Sequence, residues 1–115
     1  MRSAAQVHSF FATAADQHQG VLAGVLPEGT LIAFEIEGGG TWTVVKDRGS
    51  VRVVPHLEEP VDCRMACTVE DFDALVHGRL DAREAFLGGR VRIEGDVGLI
   101  QRLNKAFARK RGVRS

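Results

Sequence analysis

The chain predicts an α+β domain. Three observations carry that reading. Apolar residues recur at three-to-four spacing near both ends of the chain. Between Leu31 and Val53 they alternate with polar ones, the period of a half-buried strand. Clusters such as Pro27-Glu28-Gly29-Thr30 and Gly38-Gly39-Gly40 cut the chain into short segments.

Residues 3–26 are expected to be helical in two pieces. Val7, Phe10, Phe11, Ala14 and Ala15 form one stripe. Gln17-His18-Gln19-Gly20 interrupts it, and Val21, Leu22, Val25 and Leu26 form a second. From Leu31 to Glu37, Ile32, Phe34 and Ile36 share one face, with Glu35 and Glu37 opposite. Thr41–Lys46 reads as its partner, with Trp42 and Val44 on one face. Asp47-Arg48-Gly49 is a tight turn, and Val51 and Val53 alternate after it. Connections this short predict a three-stranded antiparallel meander. His56–Pro60 reads as a connector, and Cys63, Met65 and Cys67 lie on one face of a fourth strand.

Thr68 with Asp71 resembles a capping box that opens a helix over 69–77, burying Phe72, Leu75 and Val76. Asp81 and Glu84 open a shorter helix carrying Ala85 and Phe86, ended by Gly88-Gly89. Arg90–Glu94 reads as a fifth strand, with Val91 and Ile93 inward. Gly95-Asp96 opens the last helix, whose stripe is Val97, Ile100, Leu103, Asn104 and Phe107.

With 115 residues the chain is expected to form one domain over 1–115. A chain of this size buries roughly two thirds of its unfolded surface, enough for a real core. Its 44% hydrophobic and 26% charged residues exclude a disordered or collagen-like chain. Fifteen basic residues balance fifteen acidic ones, so total charge argues for no nucleic-acid partner. The longest apolar runs fall far short of the roughly 20 residues a bilayer span needs. No secretory signal stands at the start and no peroxisomal address at the end, so a cytoplasmic location is the default expectation.

The distribution of charge is more informative than its total. Residues 1–101 hold all fifteen acids and nine of the bases. Arg102, Lys105, Arg109, Lys110, Arg111 and Arg114 follow with no acid among them. This segment is either a solvated helix end complementing the helix dipole or an attachment patch for anionic membrane or an acidic protein. Of these, Arg109, Lys110 and Arg111 are the candidate contacts. No aromatic interleaves the run after Phe107, which argues against nucleic acid.

Little in the chain suggests bond-making chemistry. On one strand, four residues apart, Cys63 and Cys67 have Cα atoms roughly 13 Å apart. A disulfide spans at most about 7 Å, so they read as buried structural thiols. No nearby His or Cys completes a four-ligand metal set. His8, His18, His56 and His77 are dispersed, and none has a His or Cys three or four residues away. No serine occurs between Ser50 and Ser115 to serve as a nucleophile. The acids at Glu58, Glu59, Asp62, Glu70, Asp71 and Asp73 read as helix-start and surface charges. Gly38-Gly39-Gly40 opens a strand without a following Lys-Ser/Thr, so it is a turn and not a phosphate loop. No catalytic residue, metal or cofactor is expected. A cone-shaped enzyme of the ketosteroid-isomerase type would want a Tyr in its pocket, and the chain has none.

Several segments in fixed order carry a resemblance. They are Gly40-Thr41-Trp42-Thr43-Val44, then Val61-Asp62-Cys63 leading to Thr68-Val69-Glu70-Asp71-Phe72. Leu75-Val76-His77-Gly78-Arg79-Leu80 with Ala85-Phe86 follows, then Gly89–Asp96 with Gly98-Leu99 and Leu103. From about Leu31 to Phe107 the chain resembles the sterol carrier protein family of small lipid-binding domains. The first 30 residues match only in type, and 108–115 form the basic tail. The resemblance implies a five-stranded mixed sheet, helices covering one face, and an apolar tunnel between the two layers. It implies non-covalent binding, with transfer, of a lipid or other apolar small molecule such as a sterol, fatty acyl or isoprenoid compound. The alternative is an accessory subunit presenting such a molecule to biosynthetic enzymes, for instance those of isoprenoid-quinone synthesis. From the pattern alone the apolar residues read as solid core; the resemblance turns a subset of them toward a ligand. Those candidates are Phe34, Ile36, Trp42, Met65, Phe72, Phe86, Ile100, Leu103 and Phe107.

Overall fold

A computed structural model describes residues 3–17 and 19–110, with the side chains of Ala15, Gln19 and 106–110 outside the description. Two helices lead, α1 (Ala4–Gln17) and α2 (Gln19–Val25). The meander follows as β1 (Leu31–Glu37), β2 (Gly40–Asp47) and β3 (Ser50–Val54). Next come β4 (Cys63–Thr68), α3 (Val69–Val76), α4 (Ala82–Leu87), β5 (Arg92–Gly95) and α5 (Val97–Lys110).

The caps that the sequence indicates form. The Thr68 side chain accepts from the Asp71 backbone N–H at 3.1 Å, and Asp81 accepts from that of Glu84 at 3.1 Å. His77 is the C-cap of α3. The fifth strand starts two residues later than the alternation suggests. The N–H groups of Arg90 and Val91 still bond back to the Ala85 carbonyl, so this stretch completes the end of α4 before pairing begins.

The sheet runs in the order β3-β2-β1-β4-β5. β4 lies parallel to β1, while the other neighbours are antiparallel, so the sheet is mixed. Registers align Trp42, Phe34, Met65 and Ile93 in one row across four strands, and all four are buried. The helices pack over this face. The other face is covered in part by the chain between β3 and β4. There Thr43 is fully buried; its hydroxyl donates to the His56 carbonyl at 2.6 Å and accepts from the Glu58 N–H at 3.1 Å. Asp62 then ties the crossover to β1, its carboxylate accepting from the Leu31 N–H at 2.8 Å.

Candidate functional site

Between sheet and helices lies a cavity of about 60 Å³. Strands supply its floor through Phe34 of β1, Val44 of β2, Val53 of β3 and Met65 of β4. These residues sit on one face because successive strand residues alternate sides. α1 contributes Phe10, Phe11 and Ala14, and α2 contributes Leu22. α3 adds Phe72, Leu75 and Val76, and α5 adds Ile100 and Leu103. The remaining wall residues are Ala82, at the start of α4, and Asn104. Four aromatic rings cluster on the wall: Phe10 meets Phe72 edge-on at 5.3 Å, and Phe11 lies 5.5 Å from both Phe34 and Phe72.

Five of the nine candidates come together on this wall: Phe34, Met65, Phe72, Ile100 and Leu103. Three stand off it. Trp42 is screened by Phe11, which stacks on it at 5.3 Å, and its indole N–H is held by the Gly39 carbonyl at 2.8 Å. Ile36 packs at the β1–β2 turn, where it and Val7 both crowd the space beside Gly39. Phe86 packs half-buried against the core from α4. The side chains of Phe107, Arg109 and Lys110, and Arg111 altogether, lie outside the described residues. The α1 and α2 contributors are on the helical stripes of the sequence. Their aim at the cavity depends on how those helices cross the sheet, which a stripe does not specify.

The cysteines are free and buried on β4. Burial pushes the Cys63 thiol up to about 11, with Asp96 and then Asp62 adding to the shift, and Cys67 to about 12, with Asp71 adding. Among the described residues no cluster of His, Cys, Asp or Glu could hold a metal ion. Among them, too, no helix is long and apolar enough to cross a membrane.

A mixed five-stranded sheet with helices over one face and an apolar cavity between the layers places the chain among small α+β domains with an internal apolar space. The chain belongs to the SCP-2 sterol transfer family, whose model matches residues 15–108. Sterol carrier protein 2 of Homo sapiens is 31% identical over 80 residues, which cover 65% of this chain and 15% of that protein. Hydroxysteroid dehydrogenase-like protein 2 of Homo sapiens is 32% identical over 75 residues, 63% of this chain and 18% of that one. The chain thus spans less than a fifth of the length of these relatives. Among solved structures, the sterol carrier protein domain 2 of Helicoverpa armigera superposes with a TM-score of 0.66 at 23% identity, covering 90% of this chain and 83% of its own. A protein described as UbiJ-SCP2 Ubiquinone synthesis protein gives 0.68 at 16% identity, covering 94% and 90%. At such identities these two show the fold.

Proposed function

We propose that this domain binds a lipid or other apolar small molecule in the cavity and releases it again, making and breaking no covalent bond. The observation that carries this is the wall itself. Every helix and four strands send apolar side chains to one space between the layers, and among the described residues of its wall only one is polar. Membership of the sterol transfer family supports the same reading. Burial supplies the affinity. Sixteen methylenes at about 0.8 kcal/mol each contribute about 13 kcal/mol. Association costs of at least about 4 kcal/mol leave micromolar binding.

Ligand pockets typically measure about 300–1,000 Å³. The cavity here is smaller, so uptake requires the helical layer to shift off the sheet. A cytoplasmic carrier that delivers to anionic membrane through Arg109, Lys110 and Arg111 is part of the proposal. Presentation of a lipid-like substrate to isoprenoid-quinone enzymes is a second reading, supported by the near full-length likeness to the ubiquinone synthesis protein. A pull-down that recovers such enzymes distinguishes it from a free carrier.

Filling the cavity tests the central claim. Ala14 is a small wall residue, so Ala14→Phe should occupy the space while the chain still melts cooperatively; overpacking costs about 1–3 kcal/mol. Wild-type protein, freed of lipid by organic extraction, should enhance diphenylhexatriene fluorescence with one-to-one stoichiometry. The variant should bind the probe at least roughly tenfold more weakly. Undiminished binding by Ala14→Phe would place the ligand elsewhere.

A further inference from the structure

We propose that Asn104 reads the polar head of the ligand, and that the cavity takes amphiphiles carrying one uncharged, hydrogen-bonding head, a hydroxyl above all. The inference rests on the cavity being the ligand site.

Asn104 is an anomaly in sequence and in structure. It falls on the apolar stripe of α5 beside Leu103. Every other described residue of the cavity wall is apolar. Its carboxamide has two N–H donors and an oxygen with two lone pairs. The oxygen accepts from the Ala82 N–H at 3.5 Å, and the nitrogen donates to the Leu75 carbonyl at 3.4 Å. Both contacts sit at the long limit of a hydrogen bond. They engage one donor and one acceptor, and on this half-buried side chain they leave one of each for water or a guest. A hydroxyl both donates and accepts, so it matches that pair.

Charge narrows the class. No Lys, Arg or His is among the described wall residues. A carboxylate drawn fully inside would be buried without a cation, which is strongly unfavourable. Lys46 is the buried cation nearest in character, but it is absent from the wall, and its ammonium donates to the carbonyls of Ala23 and Leu26 at 2.7 and 2.9 Å. A neutral head at Asn104 carries no such penalty.

A structural role in joining α3 and α4 to α5 would give the same contacts, so the test reads head-group preference. Delipidated full-length protein is titrated at pH 8 with diphenylhexatriene, which has no polar head, and with dodecan-1-ol and dodecanoate as competitors. Asn104→Leu should weaken dodecan-1-ol by roughly three- to tenfold, the usual worth of one hydrogen bond. Diphenylhexatriene affinity should stay within about twofold, because its contacts are apolar. In wild-type protein the ¹⁵N side-chain amide resonance of Asn104 should move on saturation with dodecan-1-ol and far less with diphenylhexatriene, a readout that needs no variant. Equal losses for alcohol and headless probe, or an amide resonance that the alcohol leaves in place, overturn the assignment. Tighter binding of dodecanoate than dodecan-1-ol overturns the neutral-head preference. If wild-type protein takes none of the three compounds, the ligand-site reading fails and this inference falls with it.

Discussion

Cys63 and Cys67 show what register does to a single side chain. Alternation along β4 turns both thiols inward, and burial holds them protonated to about 11 and about 12. In the unfolded chain they ionise near the ordinary value of 9.0. Between those limits the unfolded state binds fewer protons than the folded one. Their contribution is therefore fully present below about pH 9 and is lost as pH rises through about 11, at up to about 1.4 kcal/mol per pH unit for each thiol. Urea unfolding at pH 8 and pH 10.5 should show this decline. The Cys63→Ala/Cys67→Ala variant should start less stable and fall less steeply. An equally steep fall would assign the loss to other groups. Trp42 marks the limit of reading single residues. Alternation puts it on the inner face, yet one further ring, Phe11, stands between it and the cavity.

At the scale of elements, α2 cannot stand alone. It has seven residues and no acid or base at its ends, well below the length at which an isolated helix is stable. Lys46 holds it: the ammonium, buried against the helix end, bonds the carbonyls of Ala23 and Leu26. The alternation that turns Trp42 and Val44 inward also turns Lys46 inward, so this cation was visible in the pattern though its partner was not. Lys46→Met keeps the stem and removes the head, leaving the two carbonyls without their cation. We expect a loss of about 1.5–3 kcal/mol in denaturant unfolding, together with faster amide exchange confined first to α2. Because α2 carries Leu22 of the cavity wall, diphenylhexatriene should also enter faster. Unchanged stability would mean that water replaces the ammonium at no cost.

For the whole molecule, charge is divided along the chain. The acids all precede residue 102, and six cations follow without one. Near an anionic surface each is worth about 1 kcal/mol, and with about half in reach the attraction is about 3 kcal/mol. That is weak and reversible, as delivery requires, and salt screens it over about 8 Å. Reversing Arg109, Lys110 and Arg111 to Glu should abolish pelleting with anionic vesicles at low salt while leaving probe binding in solution nearly unchanged. Wild-type protein that ignores such vesicles at low salt would reduce the tail to a solvated helix end.

Local signals settled most of the elements. Thr68 and Asp81 as caps, the glycines of the turns, and the two hydrophobic periods act within a few residues, so the meander and the helices were legible from the chain. The mixed sheet came from the ordered family segments, since nothing local says that β4 enters beside β1 and parallel to it. Residues far apart in sequence decide that, as when Asp62 reaches Leu31. The cavity is legible only in part for the same reason. Phe34, Met65, Phe72, Ile100 and Leu103 announce an apolar face, but a face packs solid or leaves space according to how helices cross the sheet. The crossing brings Phe10, Phe11 and Leu22 to the wall, takes Ile36 and Trp42 off it, and leaves Asn104 as the one polar group among its described residues. Composition and period determine which residues leave water; only tertiary packing decides which of them still face a space between the layers.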